Sequence, residues 1–490
     1  MAVLIVLGLV VFICAGVLSL KRRKSFVSYG PRSYPFIGCM VSFWKNQSRL
    51  CEWYTELLRD SPSQTMTVER LGAITTVVTA NPENVEHILK TRFENYPKGR
   101  IFNEILHDLL GNGIFNADGE SWRTQRKIAS YEFNTKSLRN FIVDCVQAET
   151  TERFLPLLDQ ASQSGNFLDF QDVLRRFSFD NICKVAFGMD PKCLDLSLPQ
   201  SEFADAMDVA SYLSSKRARS VISLEWKLKR ALNVGSEKTL AQAVRVVQEF
   251  ARDIIHRRSA EVDLKPDLLS RFLQLTRGRF GEDSLRDIVV SFVLAGRDTT
   301  ASALTWFFWL LSSHPEIEER IFNEVTKIKA LSYEEIKGME YLHAAICESM
   351  RLYPPVRYDS KQALQDDYLP DGTFVKKGSW VTYHPYAMGR MESIWGADCM
   401  EFKPERWFKD GVFLPQNPFK YAVFQAGARM CLGKDMAFIQ MKYIAASVIR
   451  GFRLRVDPQH EAHFVPSLTA TMKNGLPVVV EKRASRLPAS

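Results

Sequence analysis

A ten-residue segment near the C-terminal end, FQAGARMCLG at residues 424–433, constrains the fold of this chain more than any other stretch. It places Cys431 among glycines, an arginine and a phenylalanine. A cysteine binds a metal as its thiolate, which nearby N–H donors or positive charge stabilise at neutral pH. A lone cysteine is usually a small buried hydrophobic residue. The frame F-x-x-G-x-R-x-C-x-G around this one favours a metal-bound thiolate instead.

The residues around Cys431 suit a flat, metal-bearing macrocycle. Gly427 and Gly433 have no Cβ, so that the backbone can turn tightly and lie against such a ring. Arg429 can form a charge-assisted hydrogen bond with a carboxylate on the ring edge, and Phe424 can shield the sulfur from water. The segment therefore predicts haem b, iron protoporphyrin IX, with the Cys431 thiolate as the axial ligand of the iron.

A long apolar stretch at residues 285–313 is interrupted by Gly296, Arg297 and Asp298. Its hydropathy alone is compatible with a second membrane span. Because charges at its middle would be costly in lipid, we predict a long helix through the protein core, in which Gly296 lets the backbone approach a haem. Reduction of dioxygen at a haem requires protons. Thr299 can hydrogen-bond the oxygen and Asp298 can relay protons from solvent; the alternative is a threonine bonded to its own helix and an aspartate in a surface ion pair.

Two further pairs of residues have helical spacing. Glu348 and Arg351 lie three positions apart, and Trp122 and Arg126 lie four apart, so each pair shares one helix face. Alone, the first pair carries little information, because surface ion pairs at this spacing are abundant and contribute little to stability. A tryptophan by itself would be read as a core residue. Arg406 then follows within the segment FKPERW.

Together these four motifs resemble, in content and order, those of the cytochrome P450 family of haem-thiolate monooxygenases. The resemblance extends from about residue 31 to residue 480. It implies the cytochrome P450 fold, mainly α with a minor β-sheet and one N-terminal transmembrane helix. It also implies that Glu348, Arg351 and Arg406 form a buried network that holds the haem-ligand loop in place, which is a structural role.

The resemblance also implies roles for the other motifs. Trp122, Arg126 and Arg429 form the set that binds the haem propionates. The pair Asp298 and Thr299 argues against those family members that rearrange hydroperoxides without dioxygen, since these typically lack the acid and the alcohol. The expected activity is an NADPH- and O2-dependent monooxygenation.

The N-terminal residues predict a membrane anchor. Residues 1–20 contain no charged side chain and are long enough to cross a bilayer, and four basic residues follow at 21–24. A cleaved signal peptide has its basic residues first. We therefore predict a transmembrane anchor at 1–20, a basic and Pro/Gly-rich hinge at 21–38, and a monooxygenase domain at 39–490, held as a single-pass protein in the endoplasmic reticulum membrane with the catalytic domain in the cytosol. A buried core helix is the alternative for the first segment.

Composition limits the partners of this chain. Its nine cysteines are odd in number and contain no C-x-x-C pair, so neither a disulfide framework nor a zinc site is indicated. The net charge of +8 is too dispersed for nucleic acid, but agrees with an acidic protein partner or an anionic membrane. Lys420, Lys434 and Lys442 are expected to cluster on the thiolate side, where NADPH-cytochrome P450 reductase would dock; an ordinary solvated charged face is the alternative.

Hydrophobic periodicity predicts a mainly helical chain with short strands. The helices are expected at residues 82–90, 119–130, 135–159, 169–187, 236–258, 285–313, 341–353 and 434–449. The strands are expected at residues 64–68, 73–79, 356–363 and 373–382.

Four segments, at residues 95–99, 113–119, 129–135 and 386–391, resemble the plant branch of the family that oxidises the ends of aliphatic chains. This implies a lipophilic substrate and hydroxylation at the terminal (ω) carbon of a fatty acid, with an aldehyde and then an acid after repeated turnover. The alternatives within this branch are terminal oxidation of jasmonoyl-isoleucine or of a sterol side chain. A non-catalytic haem sensor or carrier is the alternative outside it, and such a protein has no need of proton delivery.

Selectivity for a terminal carbon requires a shaped channel. A terminal methyl C–H bond is stronger than its internal neighbours, so only geometry can direct the oxidant to it. The mouth of the channel is where Lys98 or Arg100 would bind a substrate carboxylate. The family-placed segments suggest the following walls, for each of which ordinary core packing is the alternative: Phe102, Leu109, Phe115, Phe292, Ala295, Val356, Tyr358 and Leu468.

Overall fold

The protein is described from a computed structural model. The expected anchor at 1–20 and the first part of the hinge, 21–28, lie outside the described residues. From residue 29 onward the hinge segment packs on the protein, because Gly38 forms a bridge with Arg70 and the Cys39 N–H donates to the Glu69 carbonyl at 2.8 Å. The structure describes residues 29–70, 74–133, 136–220, 223–260, 267–276 and 281–483.

The longest helix of the described chain runs from Glu282 to Ser312, as expected from its apolar sequence. The carboxylates of Glu282 and Asp283, in the first turn, interact favourably with the partial positive charge at the N-terminal end of this helix. The helix ends just before His314, which precedes a proline and is therefore disfavoured in helical geometry. Most of its side chains are buried in protein. Over the described residues, no helix is long and apolar enough to span a membrane, so the prediction of a core helix is confirmed.

The other helices pack around this one, and several begin with a side-chain cap. Asp169 accepts hydrogen bonds from the backbone of Gln171 and Asp172, and Ser201 accepts one from Ala204. The helices are α1 (Met40–Lys45), α2 (Leu50–Asp60), α3 (Pro82–Glu86), α4 (Gly99–Leu110), α5 (Gly119–Phe133), α6 (Lys136–Glu149), α7 (Leu155–Ser164), α8 (Phe170–Phe187), α9 (Glu202–Ala218), α10 (Ser223–Leu232), α11 (Gly235–Ala260), α12 (Leu268–Thr276), α13 (Glu282–Ser312), α14 (Pro315–Val325), α15 (Tyr333–Gly338), α16 (Glu340–Leu352), α17 (Pro385–Met388), α18 (Glu392–Trp395) and α19 (Lys434–Gly451).

Two helix predictions need correction. The stretch 135–159, expected as one helix, is α6, a π-helical turn at Thr150–Phe154, and α7, which has a proline in its first turn. The stretch 82–90 is α3 followed by a second π-helical turn, His87–Thr91. A π-helical turn accommodates an extra residue while the chain continues as a helix, and hydrophobic periodicity alone does not reveal such a turn.

A four-stranded sheet lies beside the helices in the order β1-β2-β7-β4. The pairs β1–β2 and β7–β4 are antiparallel, whereas β2–β7 is parallel, with Thr76 opposite Trp380. A three-stranded sheet, β10-β11-β3, and the hairpins β5–β6 and β8–β9 are smaller. The strands are β1 (Thr65–Val68), β2 (Thr76–Thr79), β3 (Leu168–Asp169), β4 (Asp359–Gln362), β5 (Asp367–Tyr368), β6 (Phe374–Val375), β7 (Trp380–Tyr383), β8 (Phe408–Lys409), β9 (Val412–Phe413), β10 (Phe452–Val456) and β11 (Pro477–Lys482).

The single strand expected at 373–382 is wrong. It is divided between β6 and β7, which belong to different sheets, and Gly378 turns the chain between them with a φ of 85°. A positive φ of this kind is costly for residues with a Cβ, so the turn depends on that glycine. The overall class, mainly α with minor β-sheets, is confirmed.

The hydrophobic interior of the described chain has three parts. The largest surrounds α13, and a second lies between α2 and the four-stranded sheet. A third, small cluster contains Ile114, Ala117 and Trp122. Ala426 belongs to the second cluster, while Leu432 packs against both the first and the third. The segment around Cys431 therefore lies where the three clusters meet.

Candidate active site

The Cys431 loop, residues 422–433, consists of two 3-10 turns, Ala422–Phe424 and Gly427–Arg429, followed by the start of α19. The Cys431 N–H donates to the Phe424 carbonyl at 2.8 Å and closes the loop. The Cys431 side chain is exposed, yet burial raises the pKa of its thiol, against the opposing effects of the Gly433 N–H, Arg126 and Lys434. Both properties are expected of a group that opens into an internal cavity. A metal ion would displace the thiol proton.

The two glycines of the loop differ in what they permit. Gly427 has a φ of 64°, and a Cβ there would lie 2.1 Å from the Leu89 carbonyl oxygen, so only glycine fits. At Gly433 an added Cβ would be in ordinary contact, 3.8 Å from the Phe133 ring and 4.0 Å from the Cys431 sulfur. The first glycine is required by packing within the protein, whereas the position of the second could accommodate a Cβ beside the sulfur.

Two cationic side chains lie near Cys431. Arg429 donates to Asp118 at 2.7 Å and to the Ala117 carbonyl at 2.9 Å, and its guanidinium lies 4.4 Å from the ring centre of Trp122. The Arg429 Nε is buried without a hydrogen-bond partner among the described residues. Arg126 forms no hydrogen bond or ion pair with any described residue. Burial lowers the pKa of Arg126, and the nearby Cys431 partly offsets this lowering. The structure thus brings Trp122, Arg126 and Arg429 together.

These donors fit a group that carries both a metal and carboxylates. A buried guanidinium nitrogen without a partner is unusual and calls for an acceptor. An anionic carboxylate would satisfy Arg126 and the free Nε of Arg429 with charge-assisted hydrogen bonds. Haem combines two propionates with an iron that accepts thiolate, so the side chains present here match it.

The structure also brings together Glu348, Arg351 and Arg406. The Glu348 carboxylate, fully buried, accepts from Arg351 Nε and Nη2 at 2.8 Å each and from Arg406 Nε at 3.1 Å. Trp407 Nε1 donates to it at 3.0 Å, and the Lys403 N–H at 3.2 Å. With five donors around one carboxylate, the buried charge is well compensated.

This network extends to the Cys431 loop through Trp407, to which the sequence assigned no role although it ends the segment FKPERW, and through Tyr421, which lies outside the motifs. The Trp407 ring packs edge-on against Tyr421 at 4.8 Å between centres. The Tyr421 hydroxyl donates to the Cys347 carbonyl of α16 at 3.0 Å, and Tyr421 directly precedes the loop. Their proximity to the motif in sequence was the only available signal.

On α13, Ala295 and Thr299 are half-buried, whereas most residues of this helix are buried. They lie four apart and share one face, which therefore borders a cavity. The Thr299 hydroxyl donates to the Ala295 carbonyl at 2.6 Å, the local bond that was the alternative for this residue. Gly296 is also half-buried, and a Cβ there would lie 2.4 Å from Ile182, so this glycine allows α8 to pack closely.

Asp298 forms a buried ion pair rather than a surface one. Its Oδ1 accepts from Arg297 Nη1 at 2.7 Å, and the same nitrogen donates to Asp208 of α9 at 2.7 Å. Asp208 also accepts from Arg175 at 2.8 Å and is 40% exposed. Burial raises the pKa of Asp298 despite the adjacent Arg297, which suits a carboxyl that exchanges protons. The chain of charges connects the α13 interior to solvent.

The expected role of Lys98 as a ligand of a substrate carboxylate is wrong. Its side chain is buried, and its Nζ donates to Asp359 of β4 at 2.6 Å. Asp359 also accepts from Lys361 at 2.8 Å, and its pKa lies well below the usual range because these two lysines outweigh the effect of burial. Burial lowers the pKa of Lys361 to about 7. Arg100, the other residue considered, is exposed.

The expected channel residues fall into three groups, which are buried, exposed and half-buried. Leu109 and Phe292 are buried in the core, and Phe292 stacks on Phe133 at 6.1 Å. Phe115 is exposed, and the Tyr358 ring lies 5.5 Å from His384. Those that are half-buried and can line a cavity are Phe102, Ala295, Val356, Tyr358 and Leu468.

The expected basic face is smaller than the sequence suggested. Lys442 is buried and donates to the Lys337 carbonyl at 3.0 Å, so it cannot contact a partner protein. Lys420 is half-buried over the Trp395 ring, at 4.3 Å. Lys434, at the start of α19, is exposed.

A mainly helical fold with a loop cysteine, two cations beside it and an acid–alcohol pair on a long helix defines the haem-thiolate class of proteins. The chain belongs to the cytochrome P450 family, whose model, described as Cytochrome P450, matches residues 29–478. Members of this family bind haem through a cysteine thiolate, receive electrons from NADPH through a reductase, and catalyse monooxygenation.

Similar proteins lie in the 94 group of this family. Cytochrome P450 94C1 of Arabidopsis thaliana is 52% identical over 91% of this chain and 92% of its own length. Cytochrome P450 94A1 of Vicia sativa is 49% identical over 93% and 91%, and cytochrome P450 94B1 of Arabidopsis thaliana is 48% identical over 98% and 96%. Identity at this level over nearly the full length supports the 94 branch.

Proposed function

We propose that this monooxygenase hydroxylates the terminal (ω) carbon of a fatty acid, and that repeated turnover converts the alcohol to an aldehyde and then an acid. Each hydroxylation consumes one O2 and two electrons from NADPH; one oxygen atom enters the C–H bond and the other leaves as water. The observation that carries the proposal is that four of the expected channel residues, Ala295, Phe102, Val356 and Leu468, are apolar and only half-buried, which suits an alkyl chain.

We propose the following roles for residues of the site. Cys431 would hold the iron through its thiolate, Phe424, Gly427 and Gly433 would shape its loop, and Trp122, Arg126 and Arg429 would bind the propionates. The bound haem supplies the redox chemistry with dioxygen. Asp298 holds an exchangeable proton on its carboxyl group, and Thr299 passes it on once its hydroxyl leaves the Ala295 carbonyl. Glu348, Arg351 and Arg406 have a structural role.

Apolar walls would also exclude water from the reacting carbon. An alkyl chain in a narrow channel presents its last carbon first, and this positioning overcomes the greater strength of the terminal C–H bond. Because Lys98 is paired with Asp359, the carboxylate end of the substrate remains near solvent, where Arg100 is available. Length selectivity then follows from the channel length alone.

We further propose how the protein is placed and supplied with electrons. Residues 1–20 anchor it in the endoplasmic reticulum membrane, residues 21–38 link the anchor, and residues 39–490 form the cytosolic catalytic domain. NADPH-cytochrome P450 reductase docks on the side of the Cys431 loop, where Lys434 is exposed. Rim charges of this kind chiefly affect the association rate and its salt dependence.

The test uses the full chain in microsomes with its reductase. Saturated fatty acids of graded length, jasmonoyl-isoleucine and a sterol are supplied separately with NADPH, and the position of each hydroxyl is determined by mass spectrometry. We expect ω-hydroxy fatty acids as the main products. Preferred turnover of either other substrate, or hydroxylation only inside the chain, would contradict the proposal.

A haem sensor or carrier is distinguished by Thr299→Ala. We expect this variant to retain haem and its spectrum, while product per NADPH consumed falls at least tenfold, because general acid–base catalysis typically contributes about 10²–10⁴-fold. Ser302→Ala, one turn further along α13, is the control, because its hydroxyl donates instead to the Ala470 carbonyl. Equal product yield in Thr299→Ala and the wild type would refute the role of this threonine.

A further inference from the structure

Gln425, in the Cys431 loop, has an unusual backbone conformation. Its φ is 61° and its ψ is −178°, a combination that is essentially confined to glycine. A residue with a Cβ persists there only when its surroundings hold it, and such positions concentrate at functional sites. Its N–H donates to the Ala422 carbonyl at 3.1 Å, so the strained residue directly follows the first turn of the loop.

The side chain of Gln425 is held on both polar atoms. Its Nε2 donates to Asp359 Oδ2 at 2.9 Å, and its Oε1 accepts from the Tyr383 hydroxyl. Asp359 of β4 and Tyr383 of β7 are directly opposite one another in the sheet, and the hydroxyl also lies 3.1 Å from Asp359 Oδ2. Gln425 therefore connects the loop to two paired strands.

The acceptor of this connection is itself rigid. Asp359 is buried and accepts from Lys98 and Lys361 on opposite carboxylate oxygens, at 2.6 and 2.8 Å, and from the Ser360 N–H at 2.9 Å. Buried polar networks whose members are all satisfied fix their geometry strongly. Despite burial, Lys361 and Lys98 hold the pKa of the Asp359 carboxyl well below its usual range, so the carboxylate remains ionised and available to Gln425.

The position of Gln425 determines the geometry around the cysteine. The carbonyl that accepts from the Cys431 N–H belongs to Phe424, the residue immediately before Gln425. Two residues after it, Gly427 packs against the Leu89 carbonyl with no space for a Cβ. The loop is thus held at 425 by side-chain hydrogen bonds and at 427 by steric contact.

We propose that Gln425 is a positioning residue for the thiolate: its hydrogen bonds to Asp359 and Tyr383 fix the Cys431 loop on the β4–β7 sheet and so set the placement of the sulfur against the haem iron. The strain at Gln425 is balanced by these hydrogen bonds. This role depends on the haem cofactor and not on the substrate, so it stands or fails independently of ω-hydroxylation.

The test compares Gln425→Gly with the wild-type holoprotein. Glycine removes both the strain and the side-chain hydrogen bonds, so overall thermal stability should change little. The position of the sulfur should nevertheless be less well defined. We expect about tenfold faster haem release to an apoglobin acceptor and faster loss of the thiolate-type spectrum of the ferrous carbon monoxide complex, since a hydrogen bond to a charged group contributes enough for such a factor. The reduction potential should shift as well.

The matched control is Gln64→Gly. Gln64 also has a positive φ, 54°, and its Nε2 donates to Ser393, but it precedes β1 and does not contact the Cys431 loop. We expect wild-type haem release and spectrum for this variant. Tyr383→Phe removes one hydrogen bond from Gln425 without changing the backbone, and should give an intermediate effect.

Haem release and spectral stability of Gln425→Gly that equal those of the wild type and of Gln64→Gly would overturn the proposal. If Gln425→Gly does not fold, Tyr383→Phe decides: a wild-type rate of haem release overturns the proposal, and a faster rate with an unchanged far-ultraviolet circular dichroism spectrum supports it.

Discussion

Removing the charge of Glu348 should destabilise the holoprotein more than any substitution at an exposed ion pair. In Glu348→Gln, the fully buried Arg351 and the mostly buried Arg406 lose their common carboxylate. The glutamine amide keeps one acceptor oxygen, but its NH2 group faces N–H donors from which it cannot accept a hydrogen bond. Breaking a buried ion pair while leaving its partner charged typically costs about 3–5 kcal/mol.

The structure shows why this loss is not absorbed elsewhere. Arg351 still donates to the Cys399 carbonyl at 2.6 Å and to the Glu401 carbonyl at 3.0 Å, so its position is retained and its charge remains buried. Arg406 keeps Asp398, at 2.7 Å, and is therefore less affected. With about 2.1 cal/mol/K of unfolding entropy per residue, a domain of this size should lose about 3–5 °C.

The assay is the midpoint temperature at which the thiolate-type spectrum of the ferrous carbon monoxide complex is lost. Glu405→Gln is the control, because Glu405 pairs with Arg320 at the surface, where both side chains are more than one-third exposed. Such pairs contribute about 0–1 kcal/mol, so this variant should shift the midpoint by about 1 °C or less. Equal midpoints for the two variants would refute the role of the buried network.

Two further predictions concern α13. Asp208→Asn should weaken the hold on Arg297 and free it to pair more tightly with Asp298, so that product per NADPH consumed falls several-fold. Burial would raise the pKa of Asp208, but its arginine partners lower this pKa overall. The stabilising contribution of Asp208 is therefore present above the pKa of an unfolded aspartate and is lost as pH falls through the depressed folded pKa. The difference in unfolding midpoint between wild type and variant should shrink in acid, and a difference that grows would contradict this prediction. Gly296→Ala should destabilise by about 1–3 kcal/mol through its clash with Ile182, and Ile182→Val in the same chain should restore part of the loss; thermal unfolding of the single and double variants measures both.

Much of the helical fold was accessible from periodicity. The stretch predicted at 285–313 is α13, and the helices expected at 119–130 and 434–449 differ from α5 and α19 by a few residues at one end. Such long apolar patterns leave few alternatives, because a helix must bury one face. Short strands were less accessible, since β6 and β7 are distinguished only by the turn at Gly378.

Charged residues were the least predictable. Lysine is usually a surface residue, yet both Lys98 and Lys442 are buried. The carboxylate that accepts from Lys98, Asp359, lies 261 positions away in the chain. Arg297 was noticed only as an interruption of an apolar stretch, although it joins Asp298 to Asp208. An ion pair of this kind has no local pattern, because the two partners come from different elements.

The sequence alone determined the chemistry of this protein, because the residues that recognise a haem and its thiolate are contiguous or have helical spacing, and such motifs are legible before folding. Which polar groups support that chemistry depends on how the chain folds. The anchoring of Gln425 by Asp359 and Tyr383 arises where the loop meets the β4–β7 sheet, from strands that lie far from it along the chain. Burial then makes each of these contacts strong, since water no longer competes for them.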